Sequence, residues 1–129
     1  MNTASHSGAR ATDNDSIERD IQAKGKTAPR ITPADIEAAI ASEVSFVVGD
    51  VLKDCPISES TKLLTICVLT LRNGFTVTGE SACASPENFD AEIGRKIARQ
   101  NAVAKIWPLE GYRLKQRLHD WSRGVIAQV

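Results

Sequence analysis

Arg95 and Arg99, and again Arg113 and Arg117, stand four residues apart, so on helices each pair would share one face. A guanidinium makes paired, charge-assisted hydrogen bonds to phosphate or carboxylate, which makes these four side chains the clearest chemical equipment in the chain. Upstream lies a run of small residues, Gly79, Ser81, Ala82 and Ala84. Such a run admits close approach of a ligand to the backbone, or tight packing of a helix on a strand. Ser85-Pro86-Glu87-Asn88 reads as a helix start, with Ser85 as cap, Pro86 in the first turn and free N–H groups that favour an anion. Phe75, Phe89 and Tyr112 offer rings to a base or to the core. Together these features describe a site for a small phosphate-bearing ligand, placed where a strand hands over to a helix.

An enzyme is hard to build from the same inventory. His6 and His119 lie near opposite ends of the chain, and neither belongs to a triad or a metal-ligand spacing. Ser81 and Cys83 have no base beside them in the sequence, and Glu80 and Glu87 read as a strand-edge charge and a helix-start charge. There is no phosphate loop and no GxGxxG. Neither catalysis, a metal nor a cofactor is expected.

The chain has 129 residues and zero formal net charge, which argues against long nucleic acid as a partner. Charge is nevertheless segregated. Residues 31–61 set Lys53 against six acids, a balance of −5, whereas residues 89–117 set seven bases against three acids, a balance of +4. The three cysteines, Cys55, Cys67 and Cys83, lack CxxC spacing and point to a reducing compartment. No signal peptide and no membrane-spanning stretch is apparent.

The elements that must position the arginines follow in order. Residues 1–30 are polar and small and read as a disordered arm, with Ile17 and Ile21 marking at most a transient helical turn. Residues 31–123 read as a single α+β domain. Thr32-Pro33-Ala34-Asp35 opens a helix, with Thr32 as cap, and Ser42 or Glu43 is its expected end. Phe46-Val47-Val48 follows as a short strand, and residues 53–61 as a loop. Lys62 to Leu71 is the strongest strand. An Asn73-Gly74 type I′ turn then pairs Arg72 with Phe75, Thr70 with Val77, Val68 with Gly79 and Ile66 with Ser81. Both faces of that strand are apolar, so a second subunit is expected to close the face that the helices leave open. The main helix is expected from Ser85 to Trp107, stopped by Pro108, with a short helix after Gly111. Gln100 falls in the middle of its apolar stripe and reads as a core glutamine bonded to backbone.

The string Leu69-Thr70-Leu71-Arg72-Asn73-Gly74-Phe75-Thr76-Val77-Thr78-Gly79-Glu80-Ser81-Ala82-Cys83, then Ser85 to Asp90, then Asn101 to Tyr112, resembles the phage gene-66-like family over about residues 31–118. That family includes the first type of Thoeris anti-defence proteins. The resemblance implies an oligomer, up to a hexamer, in the host cell cytoplasm that binds cyclic ADP-ribose isomers, and in some members cyclic oligonucleotides. Such a protein sequesters the signal without cleaving it and so blocks Thoeris or CBASS effectors. It adds Asn88, Phe89 and Asn101 to the ligand-binding candidates Arg95, Arg99, Arg113 and Arg117. The alternative is a small phage interaction protein that binds a host or viral protein and no small ligand.

Overall fold

The computed structural model describes residues 4–26 and 28–124, with side chains from Asn14 onward. Residues 1–3 and 27 of the expected arm lie outside the described residues. Within the arm, Ala4–Ala23 departs from the expectation by forming a helix, α1. Its composition gives it little apolar surface, and tertiary contacts hold it: it packs along a later helix, and Glu18 pairs with Arg30.

Helix α2, Pro33–Ala38, starts where the sequence places it. The Thr32 hydroxyl accepts from the Asp35 N–H at 3.2 Å, and the Asp35 carboxylate accepts from the Thr32 N–H at 2.9 Å. It ends well before Ser42, because Ile40–Val47 pairs as strand β1. Arg72 supports this early end by donating from Nε to the Ala38 carbonyl at 2.5 Å. Phe46 and Val47 are therefore the end of a longer strand, and Val48 opens a single helical turn, α3, Val48–Val51. Within the expected loop, Ser58 caps another turn, α4, Glu59–Lys62, by accepting from the Thr61 N–H at 3.1 Å.

Strand β2, Thr65–Leu71, lies between β1 and β3, Thr76–Ser81, in an antiparallel sheet of order β1-β2-β3. The hairpin turns at Asn73 and Gly74, but not as a type I′ turn. Gly74 has φ +91°, and no described residue other than glycine has positive φ. The Leu71 carbonyl accepts from the Gly74 N–H at 2.9 Å, and the Leu71 N–H donates to Phe75 at 2.7 Å. The connection is thus a three-residue loop with glycine in the left-handed position. The Asn73 side chain stays within it, accepting from the Phe75 N–H at 3.0 Å.

That extra loop residue moves the register by one. Leu69 opposes Val77, Val68 opposes Thr78 and Cys67 opposes Gly79. A slip of one residue exchanges faces, so Val77 joins Cys67, Leu69 and Leu71 on the buried face. The outer face carries Ile66, Val68, Phe46 and Val44, and Val44 is 56% exposed.

Ser85 does not start the main helix. Pro86–Asn88 is one 3₁₀ turn without a side-chain cap, and α5 runs from Ala91 to Ala104. Its cap is Asp90, whose carboxylate accepts from the Ile93 N–H at 3.0 Å. After Lys105 the chain turns into α6, Ile106–Ser122, with Pro108 inside its first turn. A missing N–H has no consequence there, which is why Pro108 does not end a helix.

Helix α5 packs on β2 and β3, and the core joins Ile36, Cys67, Leu69, Leu71, Val77, Ala98, Ala102 and Ile106. Among the described residues, no helix is long and apolar enough to cross a membrane. The tightest approach is at Gly79, where an added Cβ would overlap the Ala98 carbonyl oxygen and the Ala102 nitrogen. Both atoms belong to backbone and cannot swing aside. Gly79→Ala is therefore expected to destabilise the fold by about 2 kcal/mol or more; an unchanged urea midpoint would refute this packing.

Candidate anion-binding cleft

A cleft of about 350 Å³ lies between α2, the β2–β3 turn and α6. Four guanidinium groups line it: Arg30 precedes α2, Arg72 comes from the hairpin turn, and Arg113 and Arg117 lie one turn apart on α6. Asp35 and Glu110 are the acids in the lining, which leaves the wall with an excess of two positive charges.

Each charge is differently committed. Asp35 is held by the N-terminus of α2, and Glu110 accepts from Arg113 at 3.1 Å. Arg30 holds Glu18 with both terminal nitrogens, at 2.8 Å each. Arg72 uses Nε on the Ala38 carbonyl, and its two terminal nitrogens have no hydrogen-bond partner among the described residues. Arg117, half-buried, has none there either. Two guanidinium groups thus remain available to an anion, on a frame set by α2 and α6. Paired N–H donors of this kind match phosphate oxygens.

The seven residues proposed from sequence do not converge. Arg113 and Arg117 line the cleft. Arg99 instead ties α5 to α2 and β1, donating to Glu37 at 2.9 Å and to Glu43 at 2.9 Å. Hydrogen bonding to Glu37, then to Glu43, raises its pKa above the usual arginine value, so it is permanently charged and already neutralised. Arg95 is exposed on α5. Asn101 donates to the Glu80 carbonyl at 2.8 Å and so joins α5 to β3.

Asn88 and Phe89 line a smaller hollow of about 120 Å³, together with Ser81, Cys83 and Asp90. The anion expected at Ser85 has no helix N-terminus to meet, and at the true start of α5 the Asp90 carboxylate already takes that place. Cys67 is fully buried, and burial pushes its thiol above the usual range, the opposite of what a nucleophile needs. Gln100 departs from its expected role as well. It lines a third crevice beside Trp107, and its side chain has no hydrogen-bond partner among the described residues.

Sequence reasoning missed Arg30 and Arg72. Arg72 had a signal, since it directly precedes the Asn73-Gly74 turn and must project from the hairpin end. Arg30 had none, because the cleft wall it forms exists only once α2 and α6 come together.

A family model described as "Phage protein (N4 Gp49/phage Sf6 gene 66) family" matches residues 31–118. The chain belongs to this family. No curated protein and no solved structure matches it. The span matched by this phage family includes Arg72, Arg113 and Arg117, and it begins one residue after Arg30.

Arg99→Ala is expected to lower stability by about 1 kcal/mol, the scale of a partly exposed ion-pair cluster. Anion affinity at the cleft should stay unchanged, and calorimetric titration of the variant checks this.

Proposed function

We propose that this phage protein binds a cyclic nucleotide immune signal through its phosphates in the arginine cleft and sequesters it intact. Cyclic ADP-ribose isomers are the first ligand class, and cyclic oligonucleotides the second. The observation that carries the reading is the meeting of Arg72, whose terminal nitrogens have no partner among the described residues, and Arg117, whose guanidinium has none there, with Arg30 and Arg113 in one cleft. A pyrophosphate or a pair of phosphodiesters supplies several acceptor oxygens at the spacing that guanidinium forks exploit. Holding a signal in this way keeps it from Thoeris or CBASS effectors in the infected cell.

Sequestration asks only for affinity. The four cleft arginines are hydrogen-bond donors whose planar forks suit phosphate oxygens. The open outer sheet face of Val44, Phe46, Ile66 and Val68 would serve as the contact between copies, up to a hexamer. The same apolar face favours the second reading, an interaction protein that covers it with a host or viral partner and takes no small ligand.

Thermal melting with cyclic ADP-ribose isomers and cyclic di- and trinucleotides separates these readings. A ligand specific for the folded state adds about 2.7 kcal/mol at a hundredfold excess over its dissociation constant, and it should be recovered unchanged after denaturation. Arg117→Ala should reduce that affinity by roughly 1.5–3 kcal/mol, the worth of a charged hydrogen bond, while the unliganded melting point stays near its original value. Altered ligand would mean turnover, and no shift with any member of the panel would favour the interaction protein.

A further inference from the structure

The fork of Arg30 is filled by this chain's own α1. Glu18 accepts from both terminal nitrogens at 2.8 Å, the bidentate geometry in which arginine also takes a phosphate. Gln22, one turn further along α1, donates to the same carboxylate at 3.1 Å. The two partners are only 20% and 24% exposed, so this pair is better shielded than the other ion pairs that cross between elements. The bonds from Arg30, and then Gln22, hold the Glu18 carboxyl down at about 2, which keeps it ionised at any physiological pH. Arg30 at the same time forms part of the cleft wall.

We infer that Glu18 is a built-in competitor for the arginine cleft: a phosphate-bearing ligand that engages Arg30 displaces Glu18 and loosens α1 from the domain. The inference rests on the reading of the cleft as a phosphate site. A guanidinium whose two terminal nitrogens hold a carboxylate cannot offer that same fork to a second anion. Either the ligand uses Arg72, Arg113 and Arg117 alone, or it takes Arg30 and Glu18 must leave. Displacement has a mechanical consequence. Ile17 is 54% exposed and Ile21 is half-buried, so apolar anchorage near Glu18 is modest, and the contact with α5 supports α1 beside the Arg30 pair. An anion in the cleft is thereby reported along α1, and α1 lowers affinity for weak or singly charged anions that cannot outcompete a carboxylate.

The test uses the full chain with inorganic pyrophosphate as probe, by calorimetry and by hydrogen exchange of residues 14–23. Glu18→Gln, which keeps the shape and removes the charge, should bind pyrophosphate severalfold more tightly than the unaltered protein. In the unaltered protein, pyrophosphate should speed exchange across α1. In Glu18→Gln, α1 should exchange fast from the start and respond no further. Equal affinity with an unmoved α1 would overturn this inference alone and leave the cleft as a phosphate site. Weaker binding by Glu18→Gln would also overturn it, making Glu18 a group that positions Arg30. Absence of binding to both proteins would remove this inference together with the sequestration reading. Melting of Glu18→Gln near the original temperature shows that the domain built on residues 31–118 is intact.

Discussion

Gly79 brings the backbone of β3 against the backbone of α5 at Ala98 and Ala102, and the seating of α5 on the sheet depends on that approach. No side chain separates the two, so the helix rests directly on the β3 backbone there. Ala98 and Ala102 are fully buried because the helix face that meets Gly79 must be equally small. The same seating puts Gly94 over Thr65 and carries Ile106, at the start of α6, into the core with Ile36. Helix α6 then leaves the sheet on the side of α2, and the arginine cleft is the gap between them.

Charge is divided along the same lines. Arg99, on the side of α5 that faces α2 and β1, joins those elements through Glu37 and Glu43. This contact consumes part of the −5 and +4 imbalance within one chain. On α6 and at the hairpin turn, Arg117 and Arg72 keep unpaired donors among the described residues. The arginines that look alike by spacing therefore divide by location: one neutralised strut, one exposed on the helix, and two on a ligand-sized cleft. Arg30 shows a fourth condition, its fork occupied by a carboxylate in bidentate geometry.

Local chemistry accounts for most of what the sequence conveys. The Thr32 capping box, the α+β class, the hairpin at Asn73-Gly74 and the small-residue run all come from interactions spanning a few residues, and all are present. The departures share a cause as well. The turn at Asn73-Gly74 is compatible with two loop lengths, and only the burial of Val77 beside Leu69 selects the longer one. Ser85-Pro86 and Asp90 are both adequate helix starts, and α5 begins at the second, where Asp90 caps it and Gly94 lies against Thr65. Pro108 is a helix breaker or a helix starter depending on where the preceding helix ends, and that end is set by packing at Ile106.

The sequence by itself determined the fold class, the family over residues 31–118, and arginine as the chemistry on offer, since residue type and short-range spacing settle such properties. Tertiary structure alone decided which arginines meet. A cleft is an encounter between α2, a hairpin turn and α6, elements separated by tens of residues, and no local periodicity records the angle at which they cross. The order of α1 was decided there too, because a polar helix of this composition persists only when Arg30 and α5 supply the contacts that its own side chains lack.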